Sequence, residues 1–346
     1  MADIDIRIVG ECGRITLNRP QALNALTYQM VLDIETALDN WRNDTSVKMV
    51  IIDAIGDRAF CSGGDIADLY AAGKSGDYAY GQKFWRDEYR LNAKLAEFTK
   101  PVVTFMQGFT MGGGVGVGCH GSHRIVAENS QIAMPEVGIG LVPDVGGSKI
   151  LANAPGNLGA YLGTTATRMG PADAIYAGFA DHFIPQDQWT ALIAALETSA
   201  NIDLITAVAS SPEGGELIGL QSEIDDAFKG ATLSDVWAYL SSNTSEFTAA
   251  THKKLSRVSP LSAACTIEMM HRLAGNTDIR NALALEYRFT YRALEKSDFI
   301  EGIRAAIIDK DRTPKWQHTN AVPTDAVAEM LAPLGTDELS FERISS

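Results

Sequence analysis

The sequence is poor in the residues that build the commonest extracellular and metal-dependent sites. It has only four cysteines, Cys12, Cys61, Cys119 and Cys265, widely spaced and without a CxxC pair, so it encodes neither a disulfide framework nor a zinc site. They read as buried, reduced thiols of a cytoplasmic protein. Cations are also scarce, with 29 Lys+Arg against 43 Asp+Glu and a net charge of -14. A protein that coats nucleic acid or an anionic membrane carries surplus cations, so both roles are excluded. A small anionic ligand is not, because a local basic patch or a helix N-terminus suffices. No apolar run approaches the ~20 residues of a membrane span. Met1 to Gly10 alternates acidic residues with isoleucines and lacks the basic and apolar regions of a signal peptide. There is no HExxH and no G-x-S-x-G, which leaves a zinc hydrolase and a Ser/His/Asp hydrolase unsupported. His120 reads as a core histidine.

What is present is an ordinary globular composition, 46% hydrophobic and 21% charged, in 346 residues. That length accommodates two domains, or one with an appendage. Ile4–Val9 alternates as a half-buried strand does, and Arg14–Leu17 can return as the second strand of a hairpin. Thr27 can cap an amphipathic helix carrying Met30, Val31, Ile34, Leu38 and Trp41. Val47–Ala54 and Val102–Met106 are almost continuously apolar, as strands buried on both faces are. Phe60–Asp65 reads as a loop into a helix, Tyr78–Phe98 as a second helix, and Gln107–Thr110 as a loop into a small-residue helix. His123–Ala127 and Gln131–Ala133 read as short strands. This alternation predicts an α/β fold with crossover connections. After about residue 185 the segments 189–209, 213–229, 232–240, 245–256 and 260–274 are helical in pattern, with Ser211-Pro212 and Ser259-Pro260 as helix starts. The expected organisation is a core over residues 1–190 and a mostly helical region over 191–346 packing on it.

Three constellations can carry chemistry. Gly116 to Gly121 fits G-x-G-x-x-G, with Glu136 twenty residues beyond its first glycine. However, these glycines fall inside the predicted helix rather than in the turn before it, so close helix packing accounts for them better than a dinucleotide site. Ser62-Gly63-Gly64-Asp65 and Met111-Gly112-Gly113-Gly114 each follow a buried strand. They are either turns needing positive φ or two backbone N–H donors that converge as an oxyanion hole. Glu136 and Asp144 stand in a stretch otherwise apolar and rich in glycine, Ala133 to Gly147. There, desolvation can turn carboxyl groups into a base, an acid or a nucleophile. A helix cap at Asp144 and a solvated loop charge at Glu136 are the plainer alternatives.

Taken in order, Ile15–Pro20 with Asn24-Ala25-Leu26, Ala59–Asp65, Gly108–Gly114, Met134-Pro135-Glu136 and Pro143–Gly147 resemble the enoyl-CoA hydratase/isomerase (crotonase) superfamily. Within it the chain is most similar to the 3-hydroxyisobutyryl-CoA hydrolases. That similarity is carried by Phe84–Asn92, by Asp144 where hydratases have Gly, and by Ser259–Ser262, Glu286-Tyr287-Arg288, Asp298-Phe299, Glu301–Asp311 and Pro314-Lys315-Trp316. The resemblance implies a spiral ββα core, with N–H donors from Gly64 and Gly113 for a thioester oxygen. It also implies Glu136 as nucleophile or general base and Asp144 as its partner. Glu88, Gly113, Glu136 and Asp144 would bind the substrate. The implied reaction is hydrolysis of a short 3-hydroxyacyl-CoA in valine catabolism, with CoA as part of the substrate, no prosthetic group and no metal. Hydratases carry a further Glu shortly after the Gly-Gly-Gly run, and Gly116 takes that position here. This disfavours hydration, which needs two placed acid/base groups. Hydratase or isomerase activity and non-catalytic acyl-CoA binding are the alternatives. Arg19 and Arg58 are candidates for the CoA phosphates, and an oligomer is possible.

Overall fold

The computed structural model describes residues 2–342, which form two compact units. The first takes in the described residues of Met1–Asp65, Arg90–Ala133 and Arg168–Glu216, and the second those of Ile66–Tyr89, Met134–Thr167 and Leu217–Ser346.

The first unit holds two sheets. Strands β1 (Ile4–Val9), β2 (Cys12–Leu17), β3 (Met49–Ala54), β5 (Val102–Met106), β7 (His123–Val126) and β9 (His182–Phe183) line up in the order β1-β2-β3-β5-β7-β9. β1 and β2 form the expected antiparallel hairpin, with Ile6 opposite Ile15, and the remaining pairs are parallel. A second, parallel sheet consists of β4 (Ala59–Cys61), β6 (Phe109–Met111) and β8 (Gln131–Ala133). Three times in succession the chain makes one strand of the large sheet and then one of the small sheet: β3 then β4, β5 then β6, β7 then β8. A spiral of ββα turns results. β4 and β6 stand where the sequence reads as loop. At three residues each they are too short for alternation to register, and pairing alone defines them.

Both faces of the large sheet are covered, which explains the near-continuous apolar runs of β3 and β5. Cys12 faces a core of Met49, Ile51, Val103, Phe105, Trp189, Leu192 and Ile205. Its neighbour Gly13 turns to the other face, against the Trp41 ring of the helix Tyr28–Arg42. Thr27 caps that helix by accepting from Met30 N–H, as expected. At 0% exposure, Glu35 in the same helix accepts from Arg90 through both oxygens, at 2.5 and 2.7 Å.

Every described element after Phe183 is helical. Ser259 caps Pro260–Leu273, with Pro260 in the first turn. Ser211-Pro212 starts no helix. The helix there begins only at Leu217, because Gly214 and Gly215 take positive φ, 83° and 100°, and keep the chain irregular before it. In the second unit, edge-on aromatic pairs tie distant segments together: Tyr89 to Tyr287 and Tyr161 to Phe228.

Asn24 knots the turn that leads to the first glycine loop. It is buried, sits at φ 55°, accepts from Arg19 N–H, and donates to the carbonyls of Ile55 and Ala59. Asn24→Ala leaves three backbone groups without this partner, the Ala59 carbonyl among them in a buried bond, and should cost about 1–3 kcal/mol, read from the denaturant midpoint. A midpoint unchanged from wild type would show that the knot is dispensable.

Candidate active site

The glycine loops belong to the first unit. Leu26 N–H donates to Gly63 carbonyl and Asp65 N–H to Leu26 carbonyl, so Gly64 lies in a short parallel bridge with Leu26. It therefore precedes the helix Ala67–Ser75 rather than opening it. Gly113 does open its helix, Gly113–Gly118. The two loops adjoin. A methyl group on Gly63 would stand 3.3 Å from Met111 carbonyl oxygen and 4.0 Å from Gly113 nitrogen. Gly63 has φ 119° and Gly112 φ 52°, so both loops also use the conformational freedom of glycine. Among the described residues, neither the Gly64 nor the Gly113 N–H has a hydrogen-bond acceptor. Two donors left unpaired beside each other are what an oxyanion site requires. The third small-sheet strand, β8, ends at Ala133, three residues before Glu136.

Gly116 and Gly118 lie within the short helix. A methyl group on Gly118 would press on Met106 sulfur and the Phe60 ring, both 2.8 Å away. Gly118 thus serves packing, as its position in the sequence suggests, and Gly116 is buried in the same helix.

The carboxyl groups belong to the second unit. Glu88, Glu136 and Asp144 are 4–5% exposed, and Glu286 is fully buried. Glu136 begins a single 3-10 turn, Glu136–Ile139, and its Oε2 has no hydrogen-bond partner. A solvated loop charge is thereby ruled out. Asp144 caps no helix. Gly146 holds the N-cap of Gly147–Ala152 without a side-chain bond, and Asp144 Oδ2 accepts from the Tyr89 hydroxyl at 2.8 Å. That hydroxyl also lies 3.4 Å from Thr290 Oγ1.

The turn holding Glu136 is gripped by the C-terminal helices. Ser259 N–H donates to Val137 carbonyl at 2.9 Å, and Ser259 hydroxyl donates to Asp298 Oδ2 at 2.6 Å. Gly140 packs against Asp298 backbone and Gly302 against Ile139 backbone, each too closely for a side chain. A cavity of about 670 Å³ borders this turn at Gly138 and is lined also by Arg257, Arg312 and Trp316.

Burial without cations shapes the acidity of these groups. Asp144 is pushed up to about 7 by burial, against the pull of the Tyr89 hydroxyl and its own N–H. Glu286 is pushed up to about 8 by burial and then by Asp144, although Ser148 and Gly146 donate to it. Glu136 and Glu88 are also raised well above the usual carboxylate range, by burial first and then by Asp144. Burial first, and then charge on Asp144, thus oppose ionisation of Glu88, Glu136 and Glu286.

The model of the family described as enoyl-CoA hydratase/isomerase matches residues 12–331. The chain belongs to that family. It is similar to the protein of Danio rerio named 3-hydroxyisobutyryl-CoA hydrolase, mitochondrial, with 37% identity over 320 residues, 89% of this chain and 83% of that one. The protein of that name from Rattus norvegicus is 36% identical, covering 98% of this chain and 91% of its own. The crystal structure of an enoyl-CoA hydratase from Rhodobacter sphaeroides superposes with TM-score 0.93 at 55% identity, over 98% of this chain and 100% of that one. The family's crotonase fold is the one observed.

Of the residues singled out in the sequence, Glu88, Glu136 and Asp144 interact within one buried group, and the loops of Gly64 and Gly113 adjoin. Arg19 is already engaged by Asp65, Asp3 and Ala25 carbonyl, which makes it a poor phosphate ligand, whereas Arg58 lines a small cavity of about 110 Å³. Sequence reasoning assigns no role to Tyr89 or Glu286. The available signal for Glu286 is its place on the apolar face of the helix Ile279–Lys296, among buried Ala282, Leu283, Leu285 and Phe289.

A carboxyl group held protonated in the native state stabilises it at acid pH and loses that contribution as pH rises through its raised native value. For Glu88 the loss begins above its ordinary value of 4.5. Glu88→Gln should therefore gain in Tm relative to wild type between about pH 5 and pH 8. A Tm difference that stays constant over that range would mean Glu88 is ionised in the native protein.

Proposed function

We propose that this chain hydrolyses a short 3-hydroxyacyl-CoA thioester, with 3-hydroxyisobutyryl-CoA as substrate and 3-hydroxyisobutyrate and CoA as products, a step of valine catabolism. The observation that carries the reading is the buried pair Glu136 and Asp144, in which burial first and then the neighbouring Asp144 oppose ionisation of Glu136. The names of the 36–37% identical relatives support it.

In this reading the Gly64 and Gly113 N–H groups take the thioester oxygen. Asp144 accepts the Glu136 proton, and the Glu136 carboxylate attacks the thioester carbon. The tetrahedral oxyanion collapses by breaking the carbon–sulfur bond, and Asp144 returns the proton to the thiolate of CoA. Water, deprotonated by Asp144, then attacks the resulting mixed anhydride, releasing the hydroxy acid and regenerating Glu136. In the other route, Glu136 acts as base and activates water directly. Glu88, protonated, is placed to recognise the 3-hydroxyl. The four buried cysteines, all free thiols, fit a reducing compartment: the cytoplasm, or the mitochondrial location in the names of the relatives.

A second reading, double-bond hydration, is favoured by the naming of the 55% identical structure as an enoyl-CoA hydratase. Hydration needs a second acid/base group after the glycine run. Gly116 occupies that position, buried in its helix without a side chain.

A thiol-release assay separates the two. Glu136→Gln and Asp144→Asn should each lower kcat by roughly 10²–10⁴-fold without lowering the Tm. Isobutyryl-CoA, lacking the hydroxyl, should react at least about a hundredfold more slowly. Near-normal thiol release by Glu136→Gln would refute the hydrolase reading. Loss of crotonyl-CoA absorbance without thiol release would establish the hydratase.

A further inference from the structure

The fully buried carboxyl group of Glu286 has a local task that burial alone does not explain. From the helix Ile279–Lys296 it reaches the loop after Asp144. Its Oε2 accepts from Gly146 N–H at 2.8 Å, and its Oε1 accepts from Ser148 N–H at 3.2 Å and from the Ser148 hydroxyl. Alternate N–H groups of the loop therefore converge on one side chain, the backbone nest that commonly binds a free anion. Here the acceptor is a carboxyl group of the chain itself.

The loop needs such a hold. Val145 has φ 54°, a conformation that a β-branched residue rarely adopts, and Gly146 follows at 78°. The turn is closed by Gly147 N–H donating to Asp144 carbonyl at 2.7 Å. Relaxing Val145 to negative φ would swing Asp144 and break its bond with Tyr89. Only surrounding contacts can maintain such strain, and the Glu286 bonds take hold at Gly146, directly after Val145, and again at Ser148. Packing reinforces the hold, since a methyl group on Gly147 would meet the Met134 sulfur at 2.9 Å.

We propose that Glu286 is a positioning residue for the reaction: its carboxyl group fixes residues 145–148 in the strained conformation that orients Asp144. The proposal rests on the reading of Asp144 as a catalytic group. Glu286 touches no reacting atom and acts entirely through the loop. It also explains why a polar residue is kept on the apolar face of its helix.

A double-mutant cycle tests this, with 3-hydroxyisobutyryl-CoA as substrate and single-turnover thiol release as the readout. Wild-type release is measured first. Its absence would overturn the function proposed above, and the role of Glu286 in it, at the first step. Given wild-type turnover, Glu286→Gln keeps one acceptor but turns an amide donor toward a loop N–H. It should lower kcat at least about tenfold with KM within about twofold of wild type. In an Asp144→Asn background the same change should have almost no further effect, because residues acting as one unit are not additive. Ser148→Ala, which removes only the hydroxyl bond, should keep the Tm and give a smaller fall in kcat. It decides the matter if the Glu286 variants do not fold. A wild-type kcat in Glu286→Gln would overturn the proposal. So would an equal loss in the wild-type and Asp144→Asn backgrounds, or, where Glu286→Gln does not fold, an unaltered kcat in Ser148→Ala.

Discussion

The second unit is organised around carboxyl groups buried together with no cation among them in the described residues. Glu88, Glu136, Asp144 and Glu286 are all removed from water, and the charges acting on them are one another's. Four carboxylates could not share such a space, because desolvation and mutual repulsion would each oppose it. The group is tolerable because most of it is protonated. Burial pushes Asp144 up as well, and the Tyr89 hydroxyl that donates to it favours its charged form. A chain rich in acidic residues has thus made a proton reservoir out of what would otherwise be an electrostatic liability. The contrast with Glu35 shows what a purely structural buried carboxylate looks like. It is paired with Arg90 and Lys94 and is held below the usual range by them.

This arrangement gives the C-terminal helices their purpose. Their motifs hold two short loops. Ser259, Asp298 and Gly302 close on the turn that begins at Glu136, and Glu286 holds the loop that follows Asp144. A loop alone would sample many conformations, and a buried carboxyl group would have no fixed position in that ensemble. Helices supply rigidity at little cost, since their own backbone bonds are satisfied internally. One family model runs from residue 12 to residue 331 and so includes these helices together with the loops they hold.

Much of the first unit is legible in the sequence. The hairpin, the buried strands β3 and β5 and the Thr27 cap rest on periodicity and on a local hydrogen bond, both of which are written in consecutive residues. The strands β4 and β6 are not legible, since three residues carry no periodic signal and only their neighbours define them. The helix expected after Ser211-Pro212 fails for a local reason, two glycines at positive φ. At the candidate site, Glu136 and Asp144 stand out as the carboxyl groups of an apolar stretch, and the glycine loops stand out by composition.

The sequence by itself determined the class of protein, the order of its motifs and the residues able to do chemistry, because residue type and spacing act over a few positions. Only the tertiary structure decided which carboxyl groups are buried together, that Glu286 belongs with Asp144, and that the two glycine loops adjoin. Those outcomes depend on burial and on contacts between residues as far apart as 140 positions, the separation of Gly146 from Glu286. Desolvation and hydrogen bonding at that separation are properties of the packed interior, and no local pattern encodes them.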